Sequence, residues 1–328
     1  DIDLLGNVSP LSPIDEFPAF SFVLGDLHPH VLVMPFVMLV IGMALNIFMG
    51  GMQGKTKILT LTLPYRFDHF ILSAVALGGI AFLNTWDLPV YFVLLTAAFV
   101  LRRVNQKGWD WDRLFEFLAL AIPLGIFSLL LYTPFLISFQ SQAGGILPNI
   151  YYPTRGLYLW LMFGSLFIPI LFVLLWLIRR SAKAEWRWGA ILSIGLVLLL
   201  YLFSILLGFF VAQTDLGQQL IASQGEDSYG GLLLSSLGHR LNYGVSFLTL
   251  TLLLGLGLAF LIGLAPRKNA AEDSHSSLIF VLLMVVLGCV MVLAPEFVYL
   301  RDTFGTRMNT VFKFYYQAWM LWSIAGAF

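Results

Sequence analysis

The chain has 328 residues, of which 59% are hydrophobic and 11% charged, and its formal net charge is zero. Roughly a quarter of the residues in a soluble domain are charged, so this composition excludes a water-soluble globular protein and predicts an integral membrane protein. The balanced charge speaks against a nucleic-acid-binding surface. The single cysteine, Cys289, excludes intrachain disulfides and cysteine-rich metal clusters.

Nine apolar segments predict an all-α fold, a polytopic bundle of transmembrane helices that forms one domain over residues 1–328. A helix needs about 20 apolar residues to cross the roughly 30 Å hydrocarbon layer. In chain order the segments are approximately 30–49, 68–84, 88–101, 114–137, 157–178, 189–212, 244–264, 277–294 and 311–328. The third is short, so it is predicted to form either a tight helical hairpin with the second or a partly re-entrant element.

Three stretches outside these segments are too polar to cross the bilayer. They are an N-terminal segment, 1–29, and two loops, 138–156 and 213–244, both rich in glycine and amide residues. Loops of this length are usually functional or disordered. The chain begins without a signal-peptide pattern and ends inside an apolar segment, so we expect it to be a piece of a longer protein.

The positions of lysine and arginine predict the orientation of the bundle. Cytoplasmic loops of membrane proteins are enriched in these residues. Of the 18 lysines and arginines, 13 fall in the four loops that follow the first, third, fifth and seventh predicted spans, on the opposite side from the three polar stretches. Those three stretches therefore face the non-cytoplasmic side. The same side holds most of the acidic residues and the five remaining cations, which are Arg155, Arg240, Arg301, Arg307 and Lys313.

The first candidate site is the sequence DLHPH at the start of the first span. Asp26, His28 and His30 alternate, so in an extended segment their side chains share one side, as a divalent ion such as Mg²⁺ or Mn²⁺ requires. Asp26 is also a candidate catalytic acid or base, and Glu16, beside an aromatic stretch, is a weaker one. The alternative is that Asp26 or His28 only caps the helix and His30 lies at the membrane interface.

The second candidate site is NTWDLPVY, between the second and third spans. Asn84, Trp86 and Asp87 are polar groups in a place where unpartnered ones are rarely tolerated. Asp87 is a candidate base or metal ligand that reaches the same pocket as Asp26, with Asn84 and Trp86 binding substrate. The alternatives are that Asp87 caps the following helix, with Pro89 in its first turn, and that Trp86 anchors at the lipid headgroups.

The third candidate site lies before and within the last span. Arg301, Arg307 and Lys313 place three cations on the side that the insertion bias depletes of them, which favours an anionic partner. Arginine binds phosphate oxygens bidentately, so a phosphate or pyrophosphate is the predicted ligand. Asp302 is predicted to orient one of the arginines. The alternative is that these cations anchor the protein at lipid headgroups.

Three blocks of the sequence resemble a known family. EFPAFSFVLGDLHPHVLVMPF, NTWDLPVY and LRDTFGTRMNTVFKFYYQAW resemble the archaeal and Chloroflexi-type YYY-domain membrane proteins, in the same order, from about residue 14 to the end. That family is similar in turn to the polytopic GT-C glycosyltransferases. The tyrosine triplet of the family is absent here, since FYY at 314–316 is not that triplet. By the resemblance, the triplet and the usual catalytic aspartate lie upstream of Asp1.

The resemblance implies a glycosyltransferase in the plasma membrane of a prokaryote. It would take a sugar from a polyprenyl-phosphate donor on the non-cytoplasmic face, with membrane lipid as a further partner and Arg301, Arg307 and Lys313 near the phosphate. The rival functions are a lipid or solute transporter or flippase, and a non-catalytic membrane scaffold. A transporter favours ionisable residues at mid-span and internal repeats, whereas the polar groups here cluster at helix ends on one side.

Overall fold

The computed structural model describes residues 17–25, 28–58, 61–140, 144–265, 276–302 and 306–328. Within these residues the chain forms 13 α-helices, one 3₁₀-helix and two small antiparallel sheets. Seven of the helices are long and apolar enough to cross a membrane. The predicted all-α polytopic bundle is therefore confirmed.

The first half of the chain forms six helices. They are α1 (Pro18–Leu24), α2 (Pro29–Phe48), α3 (Phe67–Leu83), α4 (Leu88–Lys107), α5 (Asp112–Leu130) and α6 (Thr133–Ser138). Proline occupies the first turn of α1, α2, α4 and α6, where its missing N–H costs nothing. The third predicted span is longer than expected, because α4 continues to Lys107. The fourth is shorter, because α5 ends at Leu130 and a separate short helix follows.

The second half of the chain forms seven helices. They are α7 (Gly156–Arg179), α8 (Trp186–Val211), α9 (Asp215–Ser223), α10 (Tyr229–Asn242), α11 (Val245–Leu264), α12 (Ser276–Leu293) and α13 (Met308–Ala327). The 3₁₀-helix, Ala294–Glu296, follows α12 directly. The stretch predicted as a loop at 213–244 thus contains two short helices, each capped at its N-terminus by a hydroxyl side chain, Thr214 for α9 and Ser228 for α10.

Each of the nine predicted spans corresponds to a helix, but two of these helices differ from the other seven. The described helix α3 has only 17 residues, and α13 is not among the helices that meet the length and composition of a span. Helix α13 contains Asn309, Lys313 and Gln317, which lower its apolar character. It packs between α12 and α7, so other helices rather than lipid cover much of its surface.

The four short strands were not predicted. Strands β1 (Thr56–Ile58) and β2 (Leu61–Leu63) form a hairpin between α2 and α3. Strands β3 (Ile146–Pro148) and β4 (Val298–Leu300) pair although they lie about 150 residues apart, with Ile146 opposite Leu300. The second pair ties the predicted loop 138–156 to the segment that precedes α13.

The main hydrophobic core surrounds α12. Of the residues in its most apolar window, 78% are buried, and it packs against α4, α11 and α13. Helices α2 to α5 pack against one another and reach α12 through α4, whereas α7, α8, α11 and α13 form a second group that reaches it through α11 and α13. Helix α8 is the opposite extreme, with 11% of its window buried and α11 as its main neighbour. A second, small core contains Ile150, Ala212, Ile221 and Leu232 and holds α9 and α10 on the bundle.

The two ends of the bundle differ in charge. One end, here the basic end, carries eleven of the described lysines and arginines, including Arg103 and Arg113, which both pair with Glu116 at 2.5 Å. The other end, here the site end, holds the β3–β4 pair, α9, α10 and the starts of α2, α4, α7 and α13. The candidate residues that the structure describes lie at the site end.

Candidate functional site

A cavity of about 620 Å³ opens at the site end. Its walls are the segment from Pro148 to Tyr158, the last turn of α8, α9, the start of α10 and the first turn of α13. Five tyrosines line it, namely Tyr151, Tyr152, Tyr158, Tyr229 and Tyr299. The aliphatic part of the wall comes from α8, α9 and α10 through residues such as Val211, Leu220 and Leu232. The volume is typical of a small-molecule site.

Two helices begin at this cavity, and an arginine stands at the N-cap position of each. Arg155 precedes α7 and Arg307 precedes α13, and both line the cavity together with Tyr158 and Met308 from the first turns. The first N–H groups of a helix have no partner inside the helix and carry a partial positive charge. Arginines and helix N-termini at one place are a favourable environment for a phosphate or another anion.

Arg307 is held in place by a buried carboxylate. Glu296 is fully buried, and its Oε1 lies 2.8 Å from Arg307 Nη1. Thr154 links the pair, because its Oγ1 accepts a hydrogen bond from Arg307 Nη2 at 3.0 Å and donates one to Glu296, and its backbone N–H donates to Glu296 Oε2 at 2.8 Å. The negative charge of Glu296 balances the positive charge of Arg307.

Arg155 differs from Arg307 in its partners. Its guanidinium lies 4.9 Å from the ring centroid of Tyr243, and it forms no ion pair with any carboxylate that the structure describes. With Glu296 already paired to Arg307, the charge of Arg155 is the uncompensated positive charge among the described lining residues of the cavity.

Arg240 fixes the loop that forms the cavity floor. Its Nη2 donates to the backbone oxygens of Asn149 at 2.6 Å and Glu296 at 3.1 Å. Its guanidinium lies between 5.2 and 5.4 Å from the rings of three aromatic residues, Tyr201, Phe247 and Phe297. These contacts join α10 to β3 and to the 3₁₀-helix, so Arg240 positions both the Asn149 loop and the backbone of Glu296.

Most of the predicted candidate residues that the structure describes meet in a separate group, here the histidine–aspartate cluster, which consists of His28, His30, Asn84, Trp86, Asp87 and Lys313. The rings of the two histidines stack with centroids 5.1 Å apart. Asn84 Nδ2 lies 3.0 Å from His30 Nδ1. The ammonium of Lys313 lies 4.6 Å from the ring centroid of Trp86. The second and third candidate sites of the sequence are thus in contact.

Asp87 is the least accessible member of the cluster. It is 1% exposed, and neither carboxyl oxygen has a hydrogen-bond partner among the described residues. Burial raises the pKa of the Asp87 carboxyl to about 8, although Asn84 and Lys313 favour its ionised form. The side chain therefore holds its proton at neutral pH, unlike an ordinary surface aspartate.

The capping alternatives are wrong for the residues that can be tested. Asp87 stands at the N-cap position of α4 and His28 at that of α2, but neither side chain accepts a hydrogen bond from its helix. His30 is 2% exposed, so its side chain is covered by other protein groups. Asp26 and Glu16 lie outside the described residues, and their predicted catalytic functions stay predictions.

The metal prediction depends on Asp26 and is likewise open. Among the described residues no group of three histidine, cysteine, aspartate or glutamate side chains is placed to hold a metal ion. The His30 Nδ1 lone pair accepts a hydrogen bond when the Asn84 amide donates, and the other ring nitrogen then carries the proton. In that arrangement His30 does not fit a Mg²⁺ or Mn²⁺ site with His28 and Asp26.

Helix α13 separates the cavity from the histidine–aspartate cluster. Arg307, Met308 and Val311 line the cavity, whereas Phe312 packs on His30 with ring centroids 5.1 Å apart. Of the predicted phosphate-binding residues that the structure describes, only Arg307 lines the cavity.

Arg301 and Asp302 lie near this region but outside the cavity lining. Arg301 is exposed and pairs through its backbone with Gly144 and Gly145. Asp302 accepts a hydrogen bond from Asn309 at 2.5 Å. The predicted function of Asp302, to orient one of the arginines, stays a prediction.

Four residues of the site were not singled out from the sequence. From the sequence, Arg155 and Arg240 were predicted only to be cations on the non-cytoplasmic side, and Glu296 only to be one of the acidic residues there. No function was predicted for Thr154. The sequence TRG directly before an apolar span carries a detectable signal, since it places a cation at a helix N-terminus. The contacts of Glu296 with Thr154 join residues 142 positions apart, which no local pattern predicts.

The family comparison gives one match. The model of a family described as Uncharacterized membrane protein (DUF2298) matches residues 11–322. No curated protein and no solved structure matches the chain. The predicted resemblance is supported at the level of an uncharacterised membrane-protein family, while the likeness to YYY-domain and GT-C proteins stays a prediction.

Proposed function

The chain belongs to the DUF2298 family of membrane proteins, and we propose that it is a glycosyltransferase that takes a sugar from a polyprenyl-phosphate donor. The observation that carries the proposal is the meeting of two arginine-preceded helix N-termini in one tyrosine-lined cavity. This arrangement supplies positive potential for a phosphate, aromatic faces for a sugar ring and an apolar wall for a lipid.

In the proposal the donor phosphate lies between Arg155 and Arg307. The acceptor oxygen attacks the anomeric carbon in line, the bond from that carbon to the phosphate oxygen breaks, and the electron pair leaves with the phosphate. The anomeric centre is inverted in this single displacement. The two arginines and the first N–H groups of α7 and α13 stabilise the charge that develops on the leaving phosphate.

The two remaining parts of the donor have different walls. Tyrosine rings with the amides of Asn149 and Gln224 form the polar side of the cavity, which suits a sugar. Gly208, Val211 and Ala212 form a wall at the end of α8. Because α8 is the least buried of the candidate spans, a polyprenyl tail can pass from this wall into the surrounding lipid.

The proposal assigns proton removal from the acceptor to a carboxylate, with Asp26 as the first candidate and Glu16 as the second. Asp87 is less suitable, because burial raises its pKa to about 8 and its oxygens are inaccessible. No step requires a metal ion. The charge asymmetry of the bundle supports a non-cytoplasmic position for the cavity, in the plasma membrane of a prokaryote.

The test uses the purified chain in lipid nanodiscs with a set of labelled polyprenyl-phosphate sugars. We expect transfer of label to an added acceptor, and a loss of about 100-fold in Arg155→Ala, because the uncompensated charge at the phosphate is removed. Arg180→Ala is the matched control, because Arg180 is exposed at the basic end and contacts only Trp176 among the described side chains.

Four outcomes separate the proposal from its rivals. Loss of transfer in Arg155→Ala with full transfer in Arg180→Ala supports it. Equal transfer in the two variants removes the phosphate assignment. Uptake of labelled donor into sealed vesicles without any transfer identifies a transporter or flippase, and neither transfer, uptake nor donor binding is the result expected of a scaffold.

A further inference from the structure

A second cavity, of about 460 Å³, lies between α2 and α3 near the basic end. Four apolar residues, Met38, Leu39, Gly42 and Leu72, form its deeper part, and all four are exposed. Asn46 and His69 line it near the ends of the two helices, at the membrane boundary. The cavity therefore changes from apolar inside the membrane to polar at its surface.

The length of this groove matches one leaflet of a bilayer. The distance along the helix from Met38 to Asn46, eight steps of about 1.5 Å, is about 12 Å, and half of the hydrocarbon layer is about 15 Å. A groove that runs from the membrane surface to near the midplane has the dimensions of the first part of one acyl chain.

Cations stand at the outer end of the groove. Arg66 is the residue directly before α3, three positions before His69. The segment that carries Lys55 lies beside Arg66, because a Cβ at the preceding Gly54 would lie 2.7 Å from Arg66 Cγ. Asp68 pairs with Arg66 at 2.5 Å, but both side chains are more than half exposed, and such a pair is weak. Lys55, Lys57 and Arg66 outnumber Asp68, so the net charge of these four residues is positive.

We propose that this groove binds one anionic phospholipid, with an acyl chain along Gly42 and Leu72 and the headgroup at Lys55, Lys57 and Arg66. Charge complementarity at the outer end and the apolar interior favour this occupant over a protein segment. The site is separate from the tyrosine-lined cavity, so the proposal does not depend on the glycosyltransferase activity.

Gly42 allows the groove to be filled without damage to the fold. A Cβ at Gly42 meets no atom within 4 Å, so Gly42→Phe places its ring in the groove. Gly195 in α8 is the matched control, because it is also an exposed mid-helix glycine whose Cβ would meet nothing within 4 Å. Native mass spectrometry of protein from nanodiscs of phosphatidylglycerol and phosphatidylcholine counts the lipids that stay bound.

We expect one retained phosphatidylglycerol in the unmodified chain and in Gly195→Phe, and none in Gly42→Phe. The double variant Lys55→Ala/Lys57→Ala is expected to reduce the preference for phosphatidylglycerol over phosphatidylcholine by about 25-fold, from a factor of about five for each cation. Retention of the lipid in Gly42→Phe, or its loss in both glycine variants, would overturn the site. A dimer mass that disappears only in Gly42→Phe would instead identify a second copy of the chain as the occupant.

Discussion

A buried carboxyl group lies on each side of α13, and the two groups differ in their hydrogen-bond partners. On the cavity side, the Glu296 carboxylate receives hydrogen bonds from Arg307 and Thr154. On the other side, Asp87 is equally buried but has no hydrogen-bond partner among the described residues, and burial raises its pKa to about 8. The comparison teaches that burial alone does not decide the charge of a carboxyl group; the donors that surround it do.

The largest expected effect tests the paired side. Glu296→Ala removes the buried acceptor of three hydrogen bonds, two from Thr154 and one from Arg307, and the expected loss of stability is about 3–5 kcal/mol, because hydrogen bonds to a charged group are the strong ones. Asp68→Ala, which breaks the exposed pair with Arg66, should cost far less, because an exposed ion pair is screened by solvent. Thermal unfolding in one detergent measures both. Similar losses for the two variants would show that Glu296 contributes no more than a surface carboxylate.

The second prediction concerns the unpaired side and its dependence on pH. The pKa of Asp87 is about 8 in the folded chain and about 3.9 in an exposed one, so the folded state binds the extra proton between these values. The extra proton on Asp87 makes its full contribution to the free energy of unfolding below about pH 4, and this contribution is lost as the pH rises toward 8. Asp87→Asn removes this decline.

We therefore expect the melting temperature of Asp87→Asn to exceed that of the unmodified chain by an amount that grows from pH 5 to pH 8, with about 2–4 °C for each kcal/mol. Asp68→Asn is the control, because the hydrogen bond from Arg66 lowers the pKa of this exposed carboxyl group, so that it does not titrate between pH 5 and pH 8. A difference between Asp87→Asn and the unmodified chain that is the same at every pH would show that Asp87 is already ionised in the folded protein.

The smallest expected effect concerns a hydrogen bond at the end of α9, between two residues that line the cavity. Tyr152 Oη donates to Gln224 Oε1 at 2.6 Å, and both groups are exposed, so Tyr152→Phe should weaken the attachment of α9 by about 0.5–1.5 kcal/mol. Faster amide hydrogen exchange in α9, with α3 unchanged, is the expected result. Tyr158→Phe is the control, since the hydroxyl group of Tyr158 makes no hydrogen bond within the described part of the chain.

The bundle could be predicted from the sequence because the thickness of a membrane fixes the length of an apolar helix. The ends of helices were harder: α4 extends to Lys107 because Arg102, Arg103 and Lys107 can stay helical while their charges reach water. The β3–β4 pair and the Glu296–Thr154 contacts could not be predicted, since residues about 150 positions apart carry no periodic pattern.

The candidate site was predicted in part. The sequence placed Asp87 in the same pocket as Asp26 and His28, but it did not predict the contacts of His30 with Asn84 or of Lys313 with Trp86. The spacing of six residues between Arg307, which precedes α13, and Lys313 already indicates that the two do not share a helix face. The sequence could not show that Arg155, from another loop, lines the same cavity as Arg307.

The loose attachment of α8 has a consequence for how the cavity can change size. The helix is about 39 Å long at 26 residues. At the basic end its Gly189 lies against α11 so closely that a Cβ would come within 2.5 Å of the Gly255 carbonyl oxygen. At the other end it forms the cavity wall. A bulky residue at Gly189 would have to move α8 away from α11 at the basic end. Because the other end of the same helix lines the cavity, this change would alter the volume available to a ligand there.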